Sequence, residues 1–140
     1  HPDITIEESG GWLAAASQSK INPIYVVAPS TSDERLAKVT SKAGGFIYAA
    51  SIMGVTGART SVLSAAEDLV TRVRKVSDLP VAVGLGVSTQ GQARDIARYA
   101  DGVIVGSAFV KAILDAPSLE EGLTAVTALA RELSQGVRGN

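Results

Sequence analysis

Cysteine is absent from this chain, and its one histidine stands at position 1. The lack of thiols excludes disulfide bonds, thiolate metal sites and thiol catalysis, and it is typical of proteins in the reducing cytoplasm. With His1 as the single imidazole, zinc coordination and a serine–histidine catalytic pair have almost no side chains to use. The sequence therefore predicts a cytoplasmic protein without a metal site.

Charge of one sign and long apolar runs are also missing. Thirteen basic residues oppose fourteen acidic ones, and the net charge of −1 argues against a nucleic-acid-binding surface. No apolar run approaches the ~20 residues that a membrane helix needs. Aromatic residues make up 4% of the chain, whereas 46% of all residues are apolar. This profile favours α/β layers over an all-β sandwich, and 140 residues fit one domain.

Short apolar runs alternate along the chain with segments of helical periodicity. Runs such as 23–28 (PIYVVA) and 46–50 (FIYAA) are typical of strands buried on both faces. The predicted strands are 23–28, 46–50, 81–85 and 102–105; the predicted helices are 9–19, a segment capped by Thr31 with Glu34, a segment containing 66–73, a segment capped by Ser88, 108–114 and a segment capped by Ser118. The tail, 136–140, is expected to fray.

This alternation predicts parallel strands joined by right-handed crossovers. Two α/β architectures fit it. One is an open, doubly wound sheet, which suits the chain length. The other is part of a (β/α)8 barrel, and because a whole barrel needs ~250 residues, the chain would supply half of one.

Glycines follow three of the predicted strands at the point where each strand ends. They occur in GVTG at 54–57, in GLG at 84–86 and in the pair Gly106-Ser107, which also opens a helix. Ligands of parallel α/β folds bind at the carboxyl ends of strands, and a helix start offers free N–H donors to an anion. Glycines at strand ends also serve simply as turns. Together, the three segments favour a phosphate site.

Other polar residues are weaker candidates. The hydroxyl of Tyr48 is expected near a strand end, although a core tyrosine is an equal alternative. Asp101 precedes a strand and is predicted to be a structural turn residue. Arg72 is expected to be a solvated surface charge, and Trp12 is expected to pack the first helix on the sheet.

Several motifs together resemble the tryptophan synthase α-subunit family. Two of these motifs are GFIYAAS at 45–51 and GVTGA at 54–58. Two more are VGLGVS at 83–88 and ADGVIVGSA at 100–108. NPIYVVAP at 22–29 resembles that family's fifth strand, and PDITIEE at 2–8 resembles the end of its fourth strand and the start of the helix that follows. The resemblance runs from Pro2 to about Leu133.

The resemblance implies a fold and a function. Residues 1–140 are expected to form one half-barrel unit, from the end of strand four through helix eight of a (β/α)8 barrel. The family's reaction is the retro-aldol cleavage of indole-3-glycerol phosphate to indole and glyceraldehyde 3-phosphate, a lyase step of tryptophan biosynthesis. No cofactor is expected in this chain, because pyridoxal phosphate belongs to the partner β subunit, which receives the indole.

The resemblance also assigns site residues. Tyr48 matches the active-site tyrosine, and Thr56 matches the mobile-loop threonine that helps to close the site. Leu85 stands where the family often has an aromatic pocket residue beside the indole. The positions expected around the substrate phosphate are Gly57, Gly86, Gly106 and Ser107.

One departure from the family is large. Its acid–base glutamate and aspartate belong to the first three strand–helix units, which this sequence does not contain. The chain is therefore expected to be the carboxyl-terminal half of the subunit, a proteolytic or truncated piece that binds phosphate without cleaving substrate. Its partners are expected to be the missing amino-terminal half or a second copy.

Two other function classes remain open. A non-catalytic half-barrel that binds a phosphate or a partner would show binding without turnover. A flavodoxin-like domain would bind a flavin or a nucleotide, but the first strand–helix junction, 27–31, has hydroxyls and no glycines.

Overall fold

A computed structural model describes residues 5–51 and 59–139, and for residues 59–63 it describes the backbone only. Strands and helices alternate after a first helix. The elements are α1 (Gly10–Gln18), β1 (Val26–Val27), α2 (Asp33–Thr40), β2 (Ile47–Ala50), α3 (Arg59–Arg74), β3 (Val81–Gly84), α4 (Gln90–Ala97), β4 (Gly102–Val103), α5 (Ser107–Leu114) and α6 (Leu119–Arg138).

The sheet has four strands in the order β1-β2-β3-β4, and every neighbouring pair is parallel. Each right-handed crossover therefore steps in the same direction and places its helix on the same face of the sheet. A doubly wound sheet reverses its strand order and carries helices on both faces. The open-sheet alternative is therefore wrong, and the α/β architecture of parallel βα units in half a (β/α)8 barrel is confirmed.

The two faces of the sheet differ in how they are covered. Ile47, Val81 and Val83 lie beneath the helices and are completely buried. On the opposite face, register aligns Val26 with Tyr48 and Tyr48 with Ala82. Tyr48 and Ala82 are only partly buried, and Val26 is 40% exposed. This open face corresponds to the interior of a closed barrel.

One aliphatic core joins the covered face to the helices. Leu36, Leu69, Ile96 and Leu133 bring α2, α3, α4 and α6 into it. Trp12 packs on the edge of this core as predicted, and its ring meets that of Tyr25 edge to face at a centroid distance of 5.9 Å. The core therefore lies between the helices and one face of the sheet.

Two predicted caps lie one residue away from the real ones. The side chain of Ser32, rather than Thr31, accepts the Arg35 amide at the start of α2. Thr31 instead accepts the Ala28 amide through its hydroxyl, which closes the turn after β1. At α4 the cap is Thr89 rather than Ser88.

The strand and helix ends also differ from the predictions. The outer strands β1 and β4 are much shorter than predicted, because each has a hydrogen-bonding neighbour on one side only. The tail predicted to fray belongs to α6, which continues to Arg138. Gly136 is buried there, and Gly139 ends the helix with a left-handed φ of 75°. The predicted cap at Ser118 is confirmed, since its side chain accepts the Glu121 amide.

Arg72 is not the solvated charge that the sequence predicts. Its Nε donates to the Asp33 carboxylate at 2.7 Å, and its Nη1 donates to the Pro29 carbonyl at 3.1 Å. Its Nη2 contacts the Thr31 carbonyl. Arg72 therefore ties α3 to the turn between β1 and α2.

The structural role predicted for Asp101 is confirmed. Its carboxylate accepts the Val81 amide at 2.9 Å and an Arg74 N–H at 3.0 Å, which joins the amino ends of β3 and β4. The backbone N–H of Val81 and the Arg74 guanidinium lower the pKa of this carboxyl.

Candidate functional site

The carboxyl ends of β3 and β4 bring two of the predicted glycine segments to one edge. Val83 pairs with Val103 in parallel register, and the Ile104 amide donates to the Val83 carbonyl at 2.8 Å. Gly86 and Gly106 each lie three residues beyond that pair. Both are exposed. The two turns therefore leave neighbouring strands at the same edge of the sheet.

Gly86 is required at its position by backbone conformation. Its φ is +70°, in the left-handed region that residues with a Cβ rarely adopt. A Cβ built there would meet no atom within 4 Å, so the space beside it is open. The turn after β3 thus presents bare backbone toward open space.

The turn after β4 leads directly into a helix start. Gly106 is the N-cap of α5 and provides no side-chain cap. The first turn of α5 holds no acidic residue, and Ser107 is exposed. Because the first N–H groups of a helix carry partial positive charge, this start is suited to an anion.

Tyr48 reaches the same edge from β2. A Cβ added to Gly84 would lie 2.7 Å from the Tyr48 hydroxyl oxygen, so the ring covers the last residue of β3. The Tyr48 side chain is partly buried, and its role at the active site stays a prediction. Sequence reasoning assigned Gly84 to ligand approach and missed that it makes room for this ring. The signal was its register opposite Ala50, two residues beyond Tyr48 on the same face.

The remaining predicted site residues are Leu85, Thr56 and Gly57. Leu85 is 5% exposed and belongs to the hydrophobic core, so its place beside an indole ring stays a prediction. Thr56 and Gly57 lie outside the described residues, and their predicted roles stay predictions as well.

Groups with displaced pKa values lie elsewhere among the described residues. Glu7 precedes α1, and hydrogen bonds from Lys38 and Arg35 on α2 help to lower its pKa to about 2. Burial raises the pKa of Tyr99, beyond the end of α4. Asp101 lies at the amino edge of the sheet, where a cavity of about 400 Å³ borders it and Arg74. That edge of a barrel serves stability rather than chemistry.

Within residues 5–51 and 59–139, the carboxylates form no cluster that could hold a metal ion. The same part of the chain contains no helix long and apolar enough to cross a membrane. What the site offers is backbone donors, one hydroxyl from Ser107 and one phenol from Tyr48. This set can bind an anion, and among the described residues that form it there is no carboxylate or imidazole for proton transfer.

Relatives give this edge a context. The family model described as "Tryptophan synthase alpha chain" matches residues 1–138. The tryptophan synthase alpha chain of Streptomyces coelicolor is 55% identical over 138 residues, which cover 99% of this chain and 51% of that protein. That of Streptomyces avermitilis is 56% identical and is covered to 50%.

Solved structures agree in fold. A tryptophan synthase structure from Mycobacterium tuberculosis superposes with a TM-score of 0.84 at 52% identity, covering 98% of this chain and 50% of that one. The tryptophan synthase subunit alpha of Legionella pneumophila superposes with a TM-score of 0.82 at 28% identity, covering 99% and 50%.

The chain spans about half the length of the curated relatives it matches. Within that span, the resemblance read from the glycine motifs is confirmed by the family match and by the superposed folds. The chain belongs to the tryptophan synthase alpha chain family.

Proposed function

We propose that this chain is the phosphate-binding half of an enzyme that cleaves indole-3-glycerol phosphate to indole and glyceraldehyde 3-phosphate. The observation that carries the proposal is the pair of neighbouring turns at Gly86 and Gly106, beside the uncapped start of α5. In (β/α)8 barrels, phosphate commonly binds between the last two strand ends and a helix start. The reaction is the one implied by the chain's membership of the tryptophan synthase alpha chain family.

The proposed roles follow from the groups available. Gly86, Gly106 and Ser107 hold the substrate phosphate through backbone N–H groups and the serine hydroxyl, with Gly57 completing the cradle. Tyr48 places its hydroxyl near the glycerol chain. Two further residues act at the substrate's other end and entrance: Leu85 packs beside the indole, and Thr56 helps to close the site.

The cleavage itself needs proton transfers that these groups do not provide. The bond between indole C3 and the glycerol chain breaks, its electron pair remains on indole C3 and is protonated there, and a glycerol hydroxyl loses its proton to become the aldehyde. Each transfer requires a positioned acid or base. Phosphate binding alone stabilises substrate and transition state equally and leaves the chemical rate unchanged.

The open face of the sheet supports a second half. Val26 is 40% exposed there, and the outer strands β1 and β4 each leave one edge unpaired within the sheet. Unpaired edges and an apolar face favour association. We propose that residues 1–140 form one unit, which a complementary amino-terminal half or a second copy closes into a barrel. The whole protein would act in the cytoplasm, need no cofactor of its own and pass indole to a pyridoxal-phosphate β subunit.

Binding of glycerol 3-phosphate tests the phosphate site directly. We expect it to shift the amide resonances of Gly86, Gly106 and Ser107 in the chain alone. Ser107→Asp places a carboxylate against the phosphate and should abolish the shifts, whereas Ser41→Asp on the far end of α2 should leave them unchanged. Equal binding by Ser107→Asp would place the anion elsewhere.

A non-catalytic half-barrel module is the second candidate. It is favoured by the absence, among the described residues at the strand ends, of a carboxylate placed for proton transfer. This candidate would be established if the chain binds glycerol 3-phosphate but does not cleave indole-3-glycerol phosphate, even after a complementary half is added.

A further inference from the structure

The carboxyl-terminal part of α6 contacts Gln90, the first residue of α4, which follows the turn that contains Gly86. At the first residue of α4, the Gln90 amide donates to the Glu132 carboxylate at 3.2 Å. One helical turn further along α6, Gly136 approaches the same residue. A Cβ on Gly136 would lie 2.4 Å from the Gln90 carbonyl oxygen. Both backbone groups of Gln90 thus face α6.

The close approach at Gly136 cannot be relieved cheaply. The atom that a Cβ would meet is a backbone oxygen, and a separation below 3.0 Å forces one of the two segments to move. Gly136 is also buried. The distance between α6 and the start of α4 is therefore set by the lack of a side chain at this position.

The segment between Gly86 and Gln90 transmits this anchorage. Gln92 Oε1 accepts the Ser88 amide at 2.8 Å and the Thr89 amide at 3.2 Å, and Thr89 Oγ1 accepts the Gln92 amide at 3.3 Å. Val87 is 3% exposed, which fixes it in the core. Gly86 is consequently the exposed end of a turn whose other residues are bonded or buried.

We propose that Glu132 and Gly136 are positioning residues that set the height and orientation of the Gly86 turn toward the anion. The proposal rests on the phosphate role of Gly86 given above. Glu132 acts through its acceptor oxygen on Gln90, and Gly136 acts through the close backbone contact. Neither residue touches the phosphate.

The sign of one substitution separates positioning from simple charge. Removing a carboxylate in the neighbourhood of an anion site strengthens anion binding by Coulomb's law. Loss of a positioning hydrogen bond weakens it instead. Glu132→Ala should weaken the binding of inorganic phosphate about fivefold, which corresponds to one ordinary hydrogen bond. Glu132→Gln retains an acceptor oxygen and should restore the affinity.

Two measurements on the chain as it stands complete the test, with Glu120→Gln at the other end of α6 as the charge-matched control. Glu132→Ala should speed amide hydrogen exchange at Ser88 and Gln90 relative to the control. Gly136→Ala should shift the Gly86 resonance, and if that variant does not fold, the two Glu132 variants decide. Tighter or unchanged phosphate binding by folded Glu132→Ala overturns the proposal. Absence of phosphate binding by the unsubstituted chain overturns the phosphate site itself, and unchanged exchange at Ser88 and Gln90 would then overturn the anchorage too.

Discussion

The starts of α4 and α5 follow neighbouring parallel strands, yet side chains accept hydrogen bonds from the first N–H groups of α4 and the N-cap residue of α5 provides no such acceptor. At α4, Thr89 and Gln92 form a reciprocal capping box, and the Glu132 carboxylate accepts the Gln90 amide. At α5, the N-cap is Gly106, which supplies no side-chain acceptor. Unsatisfied helix-start donors are met by side chains, by water or by a ligand. Side chains of this chain therefore accept the first N–H groups of α4, whereas the start of α5 stays available to an anion.

The same contrast extends to the glycines that precede the two helices. Gly86 adopts a left-handed φ of +70°, whereas Gly106 has a φ of −126°. The turn at Gly86 needs glycine because its backbone conformation would strain any other residue. The turn at Gly106 differs because its residue has no side chain that could cap the first N–H groups of α5. Equivalent places in the fold thus carry different chemistry because of single residues.

Catalysis gives the largest expected effect, because an uncapped helix start offers donors to an anion but no group for proton transfer. We expect the chain alone to release no measurable indole from indole-3-glycerol phosphate, since general acids and bases contribute ~10²–10⁴-fold each. Adding the amino-terminal half of the Streptomyces coelicolor relative should restore indole release if the two halves close a barrel. Tyr48→Phe in that mixture tests the phenol. Robust turnover by the chain alone would place the proton-transfer groups within this sequence.

Substitution of the two glycines sharpens the backbone contrast. Gly86→Ala forces a Cβ into the left-handed region and should destabilise the fold by about 1–2 kcal/mol. Gly106→Ala has neither a positive φ nor an atom within 4 Å of the new Cβ, so it should cost less, about 0.5 kcal/mol, because alanine is a poorer N-cap residue than glycine. Urea unfolding monitored by circular dichroism measures both. Equal midpoints for the two variants would contradict the conformational argument.

The caps sharpen the side-chain contrast by a smaller amount. Thr89→Ala removes the acceptor for the Gln92 amide and should cost about 1 kcal/mol. Ser107→Ala removes a hydroxyl that caps nothing at its own helix and should leave the unfolding free energy nearly unchanged while weakening phosphate binding. The same urea titrations, paired with phosphate titrations, check both statements. A larger stability loss at Ser107 than at Thr89 would reverse the comparison.

How far the sequence predicts this molecule depends on whether a feature is local. The alternation of short apolar runs and helical segments predicts the parallel βα units, and the glycines at 84–86 and 106 predict the edge at which the candidate site lies. The sequence does not decide which of two adjacent hydroxyl residues caps a helix, because the choice between Ser88 and Thr89 depends on the backbone angles of each residue. Contacts between distant segments are also invisible to periodicity. The ring of Tyr48 over Gly84 and the bonds of Arg72 to the turn after β1 are of this kind.

The smallest effect comes from an ion pair remote from both helix starts. Glu7 accepts hydrogen bonds from Lys38 at 3.1 Å and from Arg35 at 3.0 Å, and these help to lower its pKa from 4.5 to about 2. Because the folded pKa lies below the unfolded one, the stability that Glu7 contributes is fully present above pH 4.5 and is lost as the pH falls toward 2. The groups are exposed, so the contribution is small.

Urea midpoints of the unsubstituted chain and of Glu7→Gln, measured from pH 6 down to pH 2, isolate this contribution from that of Asp101. The difference between the two proteins should shrink as the pH falls through that window, because protonation makes the glutamate resemble the glutamine. Phosphate binding at α5 should be the same in both at pH 6, since neither Glu7 nor its partners on α2 belong to the turns at Gly86 and Gly106. A midpoint difference that stays constant with pH would show that Glu7 contributes through packing, and the contrast between the helix starts would be unaffected.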